Sequence, residues 1–339
     1  MASERNISQI CLYVSLLVSK LGRNRITWDL EIMSETVQAT AERIRRLEVQ
    51  GARNVAIAAL KAVQTLAEKT KAKDKDAFLN ELEEAQALLF ASRETEPLMR
   101  NALRYVSLQA LDSSTEKVDA LRELVASNVG LFLQNLEASR ELTAEIGAKR
   151  IRDGMLIFTH CHSSTVTRMI AKAKADGKEF SVICTETRPA FQGRITAREM
   201  VELGVQTIFI VDSAARSYMG DVDIVFVGAD AITSEGNVIN KVGTSSMAVL
   251  AHEARKPFYV VSELLKFDPE TLCGAYERVE QRNPAEVWSE APKNLSVRNP
   301  AFDVTPSRYI HGLICEEGVI APQSIVETVN RSYPWVLKQ

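Results

Sequence analysis

Through the first 150 residues, apolar side chains recur every three or four positions. Segments near 5–21, 28–48, 52–69, 76–92 and 98–111 carry this spacing, which predicts amphipathic helices joined by short polar connections. A longer helix is expected after Ser113-Ser114-Thr115-Glu116, a capping-box pattern. Beyond it Val118, Leu121, Val125, Val129, Phe132 and Leu136 form one stripe. The run from Lys69 to Asp76 reads as a solvated connection. No β-rich run and no fixed-period repeat appears in this half.

After Arg152 the rhythm changes. Short apolar runs at 155–159, 180–184, 207–211, 223–227 and 257–261 alternate with helical stretches near 164–176, 195–203, 214–219 and 244–255. Strand–helix alternation with continuous apolar strands predicts an α/β fold with a parallel sheet covered on both faces and right-handed crossovers. The chain therefore divides into an all-helical N-terminal domain, 1–150, and an α/β domain, 151–339, with the boundary within 148–153.

In such sheets, ligands collect where strands end. The five runs deliver Cys161, Thr185-Glu186, Asp212, Asp230 and Glu263 to that edge. Cys161 lies where a strand stops and a helix begins, capped by Ser163 or Ser164, and a helix N-terminus lowers a thiol's pKa. Asp212, before Ser213-Ala214-Ala215, reads as a cap for the next helix. Asp230 stands between Gly228-Ala229 and Ala231-Ile232, apolar surroundings in which a carboxyl keeps its proton and serves as a general acid.

His160-Cys161-His162 invites a metal, but an extended triplet points its two histidines away from the cysteine. No further ligand stands at the right spacing, so no metal is expected. Phosphate sites are better supported. Asn240-Lys241-Val242-Gly243 opens the 244–255 helix, Gly51-Ala52-Arg53 opens the 52–69 helix, and Ser163-Ser164 opens a third. Free N–H groups at such ends attract anions. Arg93, Arg188 and Lys266 are candidate counter-charges, which points to a multiply phosphorylated small ligand. The loop 185–194, with Arg188, Gln192 and Gly193, is polar enough to close over it.

Composition narrows the setting. The 339 residues are 46% hydrophobic and 25% charged with a net charge of -3, a globular balance that gives no field drawing a polyanion, so no nucleic-acid partner is expected. The five cysteines (Cys11, Cys161, Cys184, Cys273, Cys315) include no C-x-x-C pair and fit free thiols in the cytoplasm. The apolar patch 10–18 is too short to span a bilayer and lacks signal-peptide order, so no membrane partner is expected either.

Several of these stretches together resemble one known superfamily. LIFTHCHSSTV, TETRPAFQGR, VFVGADAI, VINKVGTSSMAVLAHE, VVSELLKF and NPAFDVTPSRYI are similar to the sugar-phosphate aldose–ketose isomerases and initiation factor 2B regulatory subunits, closest to the ribose 1,5-bisphosphate isomerase branch. The resemblance implies a helical N-terminal domain followed by a Rossmann-like sheet domain. It also implies conversion of α-D-ribose 1,5-bisphosphate to ribulose 1,5-bisphosphate without a cofactor, and a homo-oligomer of dimers assembling into hexamers.

By the same resemblance Asp230 protonates the ring oxygen and Cys161 removes the C2 proton. Ser163, Ser164, Thr165, Asn240, Lys241, Lys266 and Arg93 become substrate contacts. Two positions depart from the pattern. Gln50, before Gly51-Ala52, replaces the branch's arginine, with Arg53 one turn away as a substitute, and Glu94 follows Arg93 where the branch has proline. The alternatives are a non-catalytic regulatory subunit binding a sugar phosphate or nucleotide, and an isomerase of 5-methylthioribose 1-phosphate. Cys161 and Asp230 together favour the enzyme.

Overall fold

The computed structural model describes residues 35–93, 95–275 and 279–337. The expected helix at 5–21, and Glu94, lie outside them. The helical region comprises α1 (Glu35–Arg45), α2 (Ala52–Lys69), α3 (Lys75–Phe90), α4 (Pro97–Leu111) and α5 (Val118–Ala148). Alanines fill much of the buried face of α2, which lets neighbouring helices approach closely. Proline begins α4, where its missing N–H is unneeded. The expected capping box before α5 does not form. That helix begins at Val118, while the Ser113 and Thr115 hydroxyls accept from Thr115 N and Lys117 N. These local i+2 bonds hold the chain in a turn and delay the helix.

Beyond Ala148 come β1 (Leu156–Thr159), α6 (Ser164–Ala175), β2 (Ser181–Thr185), α7 (Gly193–Glu202), β3 (Gln206–Ile210), α8 (Ala215–Tyr218) and β4 (Ile224–Val227). Then follow β5 (Ala231–Ile232), β6 (Val238–Lys241), α9 (Thr244–Glu253), β7 (Phe258–Val261), β8 (Phe302–Thr305), β9 (Gly312–Cys315), β10 (Gly318–Ile320) and α10 (Ile325–Ser332). The main sheet runs β10-β9-β7-β4-β1-β2-β3, parallel except for β10, which pairs antiparallel with β9. Its parallel part has the doubly wound Rossmann order, reversing direction between β1 and β4. A three-stranded antiparallel sheet, β5-β6-β8, stands beside it.

The five expected strands are present. The pattern missed β5, β6, β8, β9 and β10, each at most four residues long. One expectation is corrected: β3 is an edge strand, and Ile208 and Phe209 are exposed, so the sheet is not covered throughout. The largest apolar cluster joins α1–α5 to Phe158, Val225 and Phe258 of the sheet. Asn101 on α4 donates to Leu265 O and Phe267 O at 2.9 and 2.8 Å, tying the helices to the chain after β7.

Candidate active site

Cys161 and Asp230 follow the two strands at which the sheet reverses direction, where open α/β sheets bind ligands. Both line one cavity of about 520 Å³ between the strand ends and the start of α2. Gly228 makes the close approach of the two loops possible. A Cβ there would stand 2.7 Å from Ser163 Cβ and Oγ, closer than any side chain tolerates. Gly51, Ala52, Ser163, Ser164, Gln192, Asn240, Lys241, Lys266, Arg53 and Arg93 all contribute to the same wall. Sequence reasoning thus brought together most of a site drawn from both regions.

Cys161 does not sit at the helix N-terminus. Ser163 is the cap, accepting from Val166 N at 3.4 Å, and Cys161 is two residues earlier with φ +69°, a strained conformation for a non-glycine residue. The expected thiol activation is therefore corrected. Burial pushes its pKa up to about 11, opposed by the Lys241 ammonium and by the His162 backbone N–H. Its own N–H donates to Thr187 Oγ1 at 3.0 Å, and its carbonyl accepts from Thr196 Oγ1 at 2.9 Å.

The bend at Cys161 also separates the histidines. The Val242 carbonyl can only accept, so it takes a proton from His160 Nε2 at 3.0 Å, leaving Nδ1 to accept from Thr185 Oγ1 at 2.6 Å. Burial holds the His160 pKa below its ordinary value. Its ring joins the end of β1 to the approach of α9. The Thr196 hydroxyl proton goes to Cys161 O, so His162 Nδ1 donates to Thr196 at 3.1 Å. Among the described residues no group of three or more His, Cys, Asp or Glu is placed to hold a metal.

Four expectations about the site change. The start of α9 is not open to a ligand, because Asp303 on β8 already accepts from Gly243 N at 2.7 Å and Ser245 N at 3.1 Å. Burial raises that carboxyl to about 6. Arg188 does not enter the cavity; its Nη2 donates to Val287 O at 2.9 Å. Thr165 is buried beneath the wall, donating to Glu263 at 3.1 Å. Asp212 does not cap a helix. Its carboxylate accepts from Thr187 N and Arg188 N at 2.8 and 2.7 Å, pinning the 185–194 loop against Cys161.

The lining cations differ in how far protein carboxylates already occupy them. Lys266 donates to Ala229 O at 2.8 Å and pairs with Glu263 at 3.3 Å. Burial raises the Glu263 carboxyl, but Lys266 and hydrogen bonds outweigh that, and its pKa lies below the usual range. Arg53 pairs with Glu137 and donates to Leu136 O, and burial lowers its pKa. Gln50 is exposed and donates to Leu47 O at 2.8 Å, so it supplies no charge. Arg93 pairs with Glu96 at 3.2 Å and Glu280 at 3.6 Å. Lys241, 3% exposed, has its ammonium 5.6 Å from the Phe302 ring centroid.

Arg140, Arg282, His162 and Phe302 were not among the expected contacts but also line the cavity. His162 stood in the THCHSS stretch and Phe302 in NPAFDVT. Arg140 lies on the polar side of a long helix and Arg282 in a polar connection, where nothing local marks a ligand contact.

A doubly wound sheet under a helical layer, with a cation-lined cavity at its switch point, defines an α/β protein with a pocket suited to anionic ligands. The chain belongs to the initiation factor 2 subunit family, whose pattern matches residues 48–322. It is 42% identical over 305 residues to the ribose 1,5-bisphosphate isomerase of Thermococcus kodakarensis, covering 88% of this chain and 95% of that protein. Among solved structures, translation initiation factor eIF-2B of Pyrococcus horikoshii OT3 is similar with a TM-score of 0.74 at 32% identity, over 85% of this chain and 98% of that one. The 5-methylthioribose 1-phosphate isomerase of the same organism has a TM-score of 0.71 at 30% identity, over 87% and 88%.

Proposed function

We propose that this chain is an aldose–ketose isomerase converting α-D-ribose 1,5-bisphosphate to ribulose 1,5-bisphosphate. The observation that carries the reading is that Cys161 and Asp230 face one cation-lined cavity at the switch point. With a phosphate on the anomeric oxygen, the furanose does not open by itself. Asp230 gives its proton to the ring oxygen, and the bond from C1 to that oxygen breaks. Cys161, as the thiolate, takes the C2 proton, forming an enol between C1 and C2. The Cys161 thiol then returns the proton to C1, and the O2 hydroxyl proton passes to Asp230 as the C2 ketone forms. Both residues end as they began, and one hydrogen has moved from C2 to C1.

The resting thiol must first lose its proton, and Lys241 and the His162 N–H are the groups that favour that loss. Ser163, Ser164, Gln192 and Asn240 supply polar contacts, and Arg53, Arg93, Lys241 and Lys266 supply charge. A homo-oligomer is part of the reading, supported by the exposed apolar residues Val201, Phe209 and Val211 along α7 and β3. A reducing cytoplasmic setting is also part of it, supported by the free thiols Cys161, Cys184 and Cys315. No described helix is long and apolar enough to cross a membrane.

The test is incubation of the purified chain with ribose 1,5-bisphosphate. Ribulose 1,5-bisphosphate is expected from the wild type, with losses of at least about a thousandfold in Cys161→Ser and Asp230→Asn, the scale of a missing acid or base. A folded wild type that binds the sugar phosphate without turnover would replace this reading with that of a regulatory subunit.

A further inference from the structure

Arg282 lies in the connection between β7 and β8, outside every motif. It is nevertheless a held residue. Its N–H donates to Asn299 O at 2.9 Å, Ala301 N donates to Glu280 O at 2.8 Å, and Gln281 bridges to Pro300. This short antiparallel pairing fixes Glu280 and Arg282 against the start of β8. The Arg282 side chain is only 6% exposed and lines the cavity. Its Nε donates to Glu280 at 3.2 Å. Among the described residues neither Nη nitrogen has a hydrogen-bond partner.

Glu280 is shared, since its other oxygen stands 3.6 Å from Arg93 Nε. Phe302, the next residue but one after Pro300, has Arg93 and Lys241 5.9 and 5.6 Å from its ring centroid. Arg93, Arg282 and Lys241 therefore form one cluster. Arg282 and Arg93 both push the Lys241 ammonium below its ordinary range, after burial itself. Arg53 and Arg140 form a second cluster at the start of α2, bridged by Glu137. No ion pair connects the two clusters among the described residues.

We propose that Arg282 is a phosphate ligand of the substrate, completing with Arg93 and Lys241 a subsite for one terminal phosphate, while the Arg53–Arg140 end takes the other. Buried cations crowded together with fewer carboxylates than charges are stabilised by a bound dianion. A guanidinium held through Nε presents its Nη pair as a two-pronged donor to phosphate oxygens. This rests on the isomerase reading for the identity of the bisphosphate, but not for the binding of phosphate.

The test measures calorimetric binding of ribulose 1,5-bisphosphate, ribose 1-phosphate and ribose 5-phosphate to wild type, Arg282→Gln and Arg282→Lys. Arg282→Gln is expected to weaken the bisphosphate about 10- to 100-fold, the loss of one charge-assisted hydrogen-bonding group. It should weaken one monophosphate comparably and leave the other within twofold. Arg282→Lys, which keeps the charge without the fork, should recover part of the loss and serves if the glutamine variant does not fold. Unchanged bisphosphate affinity in a folded variant, or equal weakening of both monophosphates, would overturn the proposal. Arg282-dependent binding without wild-type turnover would instead sink the isomerase reading and leave this one standing.

Discussion

At the scale of single residues, position and reactivity were not equally legible. Cys161 and Asp230 could be placed because a strand end is readable from an apolar run followed by small residues. The state of the thiol was not, because burial and a neighbouring ammonium are set by chain segments far apart in sequence. Arg188 failed for the same reason, since its partner is a carbonyl 99 residues away. The raised thiol pKa carries a prediction. Iodoacetamide should alkylate Cys161 more slowly at pH 7.5 than a free thiol of ordinary pKa, with the rate climbing as pH approaches 11. Lys241→Met should slow it further, because Lys241 lowers the thiol's pKa. Peptide mapping by mass spectrometry reads this, and a rate plateau near pH 8.5 would contradict it.

At the scale of elements, periodicity located the helices, and apolar runs alternating with them located five of the parallel strands. It missed β5, β6, β8, β9 and β10, each joined to a neighbouring strand with no α-helix between, where that alternation is lost. It also missed that a carboxylate can occupy a helix end in place of a ligand, as Asp303 does for α9. Burial raises Asp303 to about 6, Glu316 to about 7 and Glu96, the residue before α4, to about 8. Folded-state pKa values above the unfolded ones mean that the native chain keeps protons the unfolded chain has released. The stability these groups confer is present below their unfolded pKa and is lost as pH rises through the folded values. The buried histidines, shifted down, act oppositely but only below about pH 6.5. The thermal midpoint should therefore fall between pH 6.5 and 8, and Glu96→Gln should flatten that fall. A rising midpoint across the window by calorimetry would refute the assignment.

At the scale of the whole molecule, the apolar core continues from the helices into the sheet. Among the exposed apolar residues, one group lies at the sheet edge, on α7, on β3 and directly after it. Val201 is 66% exposed, Val211 51% and Phe209 45%, more than an isolated chain gains by leaving in water. The proposed oligomer predicts a mass by light scattering of at least twice the 37.6 kDa chain. Phe209→Glu with Val211→Glu should shift it toward the monomer while leaving far-ultraviolet dichroism unchanged. A monomeric wild type at micromolar concentration would reject the oligomer.

The sequence by itself determined the class of fold, the two textures of the chain and the family, because alternation of apolar runs and fixed motifs are local properties. It also determined that Cys161 and Asp230 share an edge, since sheet topology sends successive strand ends to one side. Only the tertiary structure decided which charges remain open to a ligand. Lys266 shares its charge with Glu263 and Arg53 with Glu137 while both still line the cavity, and the start of α9 is occupied by Asp303. Arg282, unmarked in sequence, is held at the cavity by a backbone pairing. Ion pairing and burial depend on partners brought together by folding, and no local pattern encodes them.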